Sequence, residues 1–281
     1  MPHPLHGLVA PATVALAIAL LVSGCLYVRG SLRLRSTAAN APSAGRAVGF
    51  LLALVLIWVA VGSPLASLDH EWLTAHMVQH LLLMSVAAPL IWLGAPLLPM
   101  LRGLPRQVAA VVRSLSGVQA VRRIGTAITQ PTFCWLAAAL TLTLWHVPSV
   151  MTMAMHSNTW HLVQHASFLV SGLLFWWPVI RPWPSARTGP SWSIVVYLFL
   201  ATLPCDALSA FLVFSERVAY PVYLVHSGGA AEAVLADQQC AGALMWTAVT
   251  IIYLTAATMV SMRLLAAQTP ARDDRERVEA A

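Results

Sequence analysis

The sequence predicts an all-α fold, a polytopic bundle of seven transmembrane helices. The chain has 281 residues, of which 59% are hydrophobic and 9% are charged, whereas about 25% of the residues of a soluble domain are charged. Apolar segments of roughly 20 residues, the length that spans a bilayer, recur along the chain. Nearly all arginines lie in every second one of the segments that connect them. No basic stretch is interleaved with aromatic residues, which excludes a groove for nucleic acid.

Seven segments meet the length requirement for a span. They cover about residues 8–28, 47–65, 75–99, 131–148, 159–180, 192–214 and 240–265. The first contains Val22-Ser23-Gly24-Cys25, which resembles a bacterial lipobox, but no basic residue precedes it, so we expect a retained span. We assign residues 1–269 to one transmembrane domain. Residues 270–281 mix acidic residues with arginine and predict a disordered cytoplasmic tail.

The arginines predict the orientation of the bundle. Fifteen of the sixteen lie after spans one, three, five and seven, and only Arg217 lies on the other side. The fifteen are Arg29, Arg33, Arg35, Arg46, Arg102, Arg106, Arg113, Arg122, Arg123, Arg181, Arg187, Arg263, Arg272, Arg275 and Arg277. Because basic residues are retained in the cytoplasm, we expect the N-terminus outside and the C-terminus inside.

All ten histidines then fall at or near the outer face. They are His3, His6, His70, His76, His80, His146, His156, His161, His165 and His226. A single histidine at a membrane interface is usually structural, but ten on one side indicate a site. No cysteine pair has the CxxC spacing of a thiolate zinc site.

Two segments share the pattern His-x-Val-Gln-His. His76 and His80 open span three, and His161 and His165 open span five. Residues four apart lie on one face of an α-helix, so each pair directs two imidazoles to one point. A proline stands 12 or 13 residues before each pair, and the two hairpins therefore look like copies of one unit. If they are neighbours, four imidazoles converge.

A metal site accounts for this pattern. Imidazole binds copper, zinc and iron, and nitrogen sites favour copper among divalent ions. We include His146, which closes span four on the same face, as a candidate ligand. Behind the ligands, further side chains can accept hydrogen bonds from the imidazoles and orient them. These outer acceptors are Asp69, Glu71, Gln79, Gln164, Asp206 and Asp237. Met77 and Leu162 replace the glutamate of the zinc-protease motif, so we expect no enzyme of that kind.

Several separate segments carry a further signal. They are HMVQHLLLM (76–84) with LGAP (93–96), QHASF (164–168) with FWWP (175–178), YPVY (220–223) and DQQCAGALMW (237–246). In these segments the chain resembles the multi-span CtaG family of bacterial cytochrome c oxidase assembly proteins, the group associated with caa-type oxidases. The likeness runs from about residue 50 to 265. Cys240 is a departure, because the family usually has leucine there.

The resemblance implies a seven-span inner-membrane protein that matures haem–copper oxidase by delivering copper to an oxidase subunit. It implies functional roles for His76, His80, His161, His165 and the Asp237-Gln238-Gln239 element, and we add Asp237 to the predicted metal ligands. A periplasmic copper donor is a further expected partner. We expect no catalytic activity.

Two alternatives stay open from the sequence. The first is a haem-binding membrane oxidoreductase, in which His76 with His161, or His80 with His165, forms an axial pair. The second is a metal transporter, although the inner halves of the spans offer few polar residues besides Asp206. A shared copper site requires the rings of His80 and His165 to lie close together.

Overall fold

The computed structural model describes residues 11–37, 42–180 and 192–279. Within these ranges the regular structure is helical and contains no strand, which confirms the all-α class. His3, His6, Arg181 and Arg187 lie outside the described residues, as does the side chain of His226. The α-helices are α1 (Pro11–Thr37), α2 (Ala44–Val61), α3 (Leu73–Leu81), α4 (Ala88–Leu93), α5 (Leu97–Gly103), α6 (Arg106–Gly117), α7 (Gln119–Ile128), α8 (Pro131–Trp145), α9 (Pro148–Met155), α10 (Asn158–Ile180), α11 (Trp192–Phe214), α12 (Val222–His226) and α13 (Ala231–Glu279).

Six described helical stretches are long and apolar enough to cross a membrane. They are Pro11–Arg35, Ala44–Val61, Leu73–Leu93, Asn158–Ile180, Trp192–Phe214 and Ala231–Ala266. A seventh span exists if α7 and α8, which meet at an angle of 61°, are taken together. The polytopic bundle is therefore confirmed, with six or seven spans.

The fourth predicted span is shorter in the structure than in the sequence analysis. Helix α8 has 15 residues, which is about 22 Å of helix, against a hydrocarbon thickness of about 30 Å. It begins at Pro131, a residue suited to the first helical position, and ends where His146 caps it.

The third predicted span also ends earlier, at Leu93. Ala95 has a φ of 46°, which is a left-handed conformation that helices do not contain. Beyond this break, residues 97–99, which we assigned to span three, and the connecting segment that follows them fold into the short helices α5, α6 and α7.

One span carries a π-helical segment. Leu82–Ala87 lies between α3 and α4, and the Ala88 N–H donates to the carbonyl of Leu83, five residues earlier. This span packs against α2 and α10, and α13 packs against α3. Because α3 and α10 begin at the same end of the bundle, we call this the histidine end.

The π-helical segment and α10 approach each other closely. A Cβ atom at Gly172 of α10 would lie 2.8 Å from both the Cα and the carbonyl oxygen of Met84. One turn further along, the indole Nε1 of Trp176 donates to the same carbonyl at 3.0 Å. Glycine therefore allows the backbone contact that sets the spacing of the two histidine-bearing helices.

The opposite end of the bundle carries arginines. Helix α1 packs on α5 through Gly30 and Gly103, where any Cβ atom would overlap the facing backbone. Arg33 donates to the carbonyl of Arg102 at 2.9 Å. The arginine end and the histidine end are thus separated by the length of α2, whose first turn contains Arg46.

Candidate metal centre

The two His-x-Val-Gln-His segments meet at the histidine end. The ring centroids of His80 and His165 lie 5.7 Å apart, and each side chain is only 5% exposed. The rings of His76 and His161 are 5.8 Å apart and nearly parallel. The structure therefore brings together the four imidazoles that the two-hairpin interpretation requires, and it does so inside the protein.

Within each helix the two histidine rings lie one turn apart and contact each other edge-on or tilted. The centroid distances are 4.2 Å for His76 and His80 and 4.4 Å for His161 and His165. This spacing follows from the i, i+4 positions on a helix face. Because α3 and α10 lie side by side, the two histidine pairs form one group of rings.

Asp69 completes this group. It lies in the 3-10 helix Pro64–His70 that precedes α3, and it is 1% exposed. Its Oδ2 is 3.1 Å from Nε2 of His161, and its Oδ1 is 3.7 Å from Nε2 of His70. One ligand atom from each of Asp69, His76 and His161 lies within 4.8 Å of the others. We call Asp69, His76, His80, His161 and His165 the Asp69–histidine cluster.

Several polar atoms of the cluster have no hydrogen-bond partner among the described residues. They are both carboxylate oxygens of Asp69, Nδ1 of His76, both ring nitrogens of His80 and Nε2 of His161. The contact between His161 and Asp69 has an ion-pair distance but lacks hydrogen-bond geometry. Buried polar atoms without partners are costly, and a bound cation would provide one. The donor set thus fits a metal ion.

The two glutamines hold the rings in different ways. Oε1 of Gln79 accepts a hydrogen bond from Nε2 of His165 at 2.9 Å, and Nε2 of Gln79 donates to the Ala66 carbonyl at 3.1 Å. Gln164 places its Nε2 3.4 Å from Nε2 of His76 and 3.8 Å from the sulfur of Met151. Each glutamine therefore positions a histidine of the other hairpin, as outer acceptors and donors do in metal sites.

His146 lies beside the cluster rather than in its centre. Its ring centroid is 6.4 Å from that of His80. Its Nδ1 lies 2.7 Å from the Leu142 carbonyl, to which it donates, and its Nε2 is 3.5 Å from the sulfur of Met77. His146 is thus within reach of one cluster histidine, His80.

Asp237 has a different environment from the one we expected. Its carboxylate accepts hydrogen bonds from the backbone N–H groups of Leu73 at 2.6 Å and Thr74 at 3.3 Å. Helix α3 lacks a cap from its own N-terminal residue Trp72, so Asp237 caps α3 from α13. A carboxylate at this position also favours the positive end of the helix dipole. The structure thus engages Asp237 in positioning the helix that bears His76 and His80.

Two tyrosines connect the neighbouring segments to the cluster. The Tyr223 hydroxyl donates to the Asp69 carbonyl at 3.1 Å, and the Tyr220 hydroxyl donates to the His146 carbonyl at 3.0 Å. Burial raises the pKa of both phenols, so both remain protonated donors. Gln238 adds a further link, because its Oε1 accepts from the Ala219 N–H at 2.7 Å.

The sequence analysis assigned Asp69 to the outer acceptors and missed its place inside the cluster. A signal was present, because Asp69 follows Pro64 by five residues, where the second hairpin has Met153 five residues after Pro148. The two copies of the hairpin therefore differ at this position.

Comparison with known proteins identifies a family for the chain. A family model described as cytochrome c oxidase caa3 assembly factor (Caa3_CtaG) matches residues 25–267. The matched range contains every residue of the Asp69–histidine cluster, together with His146 and Asp237. No curated protein and no solved structure matches the chain. The resemblance inferred from the sequence segments is confirmed.

Proposed function

Because the chain belongs to the Caa3_CtaG family of cytochrome c oxidase caa3 assembly factors, we propose that it binds copper at the Asp69–histidine cluster and passes it to the oxidase. The observation that carries this proposal is the group of buried ring nitrogens and carboxylate oxygens that have no hydrogen-bond partner among the described residues. A cation at this point would compensate the carboxylate charge and use the free nitrogen lone pairs.

The ligand types favour copper. Imidazole is a good ligand for copper, and the affinity of nitrogen sites is highest for copper among the divalent ions of its row. Asp69 adds one oxygen, and no cysteine belongs to the cluster. The site is thus unlike the closed tetrahedral sites of structural zinc, which rely on thiolates and histidines.

Transfer of an ion requires access to the site. The His161 side chain is 14% exposed, while the neighbouring His70 side chain is 38% exposed. The cluster therefore has one edge open to solvent, on the side of His70 and His161. We propose that copper enters and leaves along this edge, and that the protein acts as a carrier without chemical turnover.

The positions of the arginines support an outward-facing site. Arg29, Arg33, Arg102 and Arg106 belong to the end opposite to the cluster, and basic residues mark the cytoplasmic side. The Asp69–histidine cluster would then face the periplasm of a bacterial inner membrane. A periplasmic copper donor and the oxidase subunits would meet the protein there.

The haem alternative is less well supported. A porphyrin between two axial histidines needs a slot among the helices, and pockets for ligands of that size measure roughly 300–1,000 Å³. The cavity that adjoins His80 has a volume of about 40 Å³. Further histidine rings occupy the space beside each candidate pair. We therefore prefer the copper carrier.

The test replaces the carboxylate of the cluster. Asp69→Asn keeps the size of the side chain and removes its charge, so we expect copper affinity to fall by at least about tenfold, the lower end of what is lost at perturbed metal sites. Caa3 oxidase activity in cells should fall with it. Glu71→Gln is the matched control, because Glu71 is an exposed acidic residue two positions away. Unchanged copper content and normal oxidase in the Asp69→Asn protein would refute the proposal.

A further inference from the structure

A small cavity lies beside the Asp69–histidine cluster, toward the middle of the bundle. Its volume is about 40 Å³, which is too small for an organic ligand and sufficient for one ion. The polar and sulfur-bearing residues of its wall include Met77, His80, Met84, His146, Cys205 and Met245. The ring of His80 belongs both to the cluster and to this wall.

His80 has no partner in this environment. Both of its ring nitrogens lack a hydrogen bond among the described residues, although the side chain is 5% exposed. The ring is stacked on Phe168 at a centroid distance of 3.9 Å, so packing holds its orientation. A buried imidazole that is held in place by packing and makes no hydrogen bond is suited to bind a metal ion.

His146 presents a second lone pair to the same cavity. Its Nδ1 donates to the Leu142 carbonyl, so in the neutral ring Nε2 carries no hydrogen. This nitrogen lies 3.5 Å from the sulfur of Met77, and a thioether carries no hydrogen to donate either. Two acceptors therefore face each other across a short distance. A soft cation between them would satisfy both.

The other residues that line the cavity indicate the charge of the ion that it would hold. Apolar side chains surround the cavity, and its lining includes no aspartate or glutamate. Transfer of a charge into such a region costs least for a monovalent ion, since the cost rises with the square of the charge. Thioether and thiol ligands select Cu(I) among the metals that imidazole also binds.

We propose that this cavity is a second metal position, which holds Cu(I) through Met77, His80 and His146. The proposal rests on the copper-carrier function of the Asp69–histidine cluster and deepens it. A neutral imidazole offers one lone pair, so His80 binds the inner ion while Asp69, His76 and His161 hold the outer one. An ion that moves inward thus passes to His80 without leaving the ring group. Copper enters as Cu(I) and keeps this oxidation state in both positions, so its passage from one to the other needs no electron.

The test measures Cu(I) binding by the full chain, purified in detergent and titrated without oxygen against a Cu(I) chelator. We expect two ions per chain, and X-ray absorption should show sulfur as well as nitrogen ligands. Met77→Leu removes the sulfur at nearly constant volume, so it should leave one ion per chain and no sulfur signal. Met259→Leu is the matched control, because Met259 is exposed on α13, and it should keep both ions.

A second pair of variants separates this inference from the proposed function. His146→Gln should also remove the inner ion, whereas Asp69→Asn should weaken the outer ion and keep the sulfur signal. One ion per chain with nitrogen and oxygen ligands only, unchanged in Met77→Leu, would overturn the inner position and leave the outer site intact. A wild-type chain that binds no copper would overturn both. Thermal unfolding of each variant shows that the fold is retained.

Discussion

Gln79 and Gln164 occupy equivalent positions in the two His-x-Val-Gln-His segments, and both reach across to the other hairpin. Gln79 accepts from His165, while Gln164 lies next to His76. At the scale of single residues, the repeat thus supplies both the ring nitrogens and the groups that orient them. Asp69 has no equivalent in the second hairpin, so the charge of the cluster is on one side.

Gln79→Leu tests the orienting role. The substitution removes the hydrogen bonds to His165 and to the Ala66 carbonyl, so we expect copper affinity to fall by about 10–100-fold, as for other residues behind metal ligands. Chelator competition measures this loss. Gln107→Leu, at an exposed glutamine of α6, is the control. Equal copper affinity in the two variants would contradict the role.

Asp237 shows how one element positions another. Its carboxylate, on α13, takes the place of an N-cap for α3, and the Thr74 hydroxyl donates to the Asp237 carbonyl at 3.1 Å. The π-helical segment that follows α3 is a second such feature, since π-bulges inside α-helices occur mostly at functional sites. Both features set the position of the span that carries His76 and His80.

Two substitutions at Asp237 distinguish a cap from a metal ligand. Asparagine is as good an N-cap as aspartate, whereas loss of a cap to alanine costs about 0.5–2 kcal/mol. We therefore expect Asp237→Asn to keep copper affinity within about twofold and Asp237→Ala to lower the unfolding midpoint. Thermal unfolding and copper titration give the two values. A loss of copper in Asp237→Asn as large as in Asp69→Asn would assign Asp237 to the ligands instead.

Gly172→Ala tests the contact between α10 and the π-helical segment. The new Cβ atom would lie 2.8 Å from the backbone of Met84, so the helices must separate, at a cost of about 1–3 kcal/mol. The distance between the histidine pairs of α3 and α10 should increase, and copper affinity should fall. Gly125→Ala in α7 is the control, because a Cβ atom there meets nothing within 4 Å. A variant with wild-type stability and copper binding would show that the contact is dispensable.

At the scale of the whole molecule, the chain has two chemically different ends. The histidine end contains Asp69, the cluster rings and Asp237, and the other end contains arginines of α1, α5 and α6. Between residues 1 and 130 the only acidic residues are Asp69 and Glu71. This asymmetry predicts one orientation in the membrane, with the proposed copper site outside.

Cysteine labelling in intact cells tests that orientation. Cys25 and Cys240 are exposed and are first replaced by serine. We expect a membrane-impermeant maleimide to label Ser149→Cys, in α9 at the histidine end, without disruption of the cells. Ser114→Cys, in α6 at the arginine end, should react only after permeabilisation, and both positions are exposed. The reverse labelling pattern would place the copper site in the cytoplasm.

The sequence alone determined the features that depend on the order of residues within one continuous segment. The lengths of the apolar segments predict the spans, and the positions of the arginines predict the orientation in the membrane. The spacing of His76 with His80, and of His161 with His165, places each pair on one helix face. Each of these is a property of a continuous segment. A helix repeats every 3.6 residues, so its faces can be read without knowledge of its neighbours.

Only the tertiary structure decided which side chains meet. Asp237 caps α3 from 164 residues away, and His146 faces Met77 across 69 residues. The break at Ala95 and the short α8 likewise reflect how the helices pack. Contacts of this kind depend on the separation and rotation of whole helices, which backbone approaches such as Gly172 on Met84 determine. No periodic pattern within one segment carries that information.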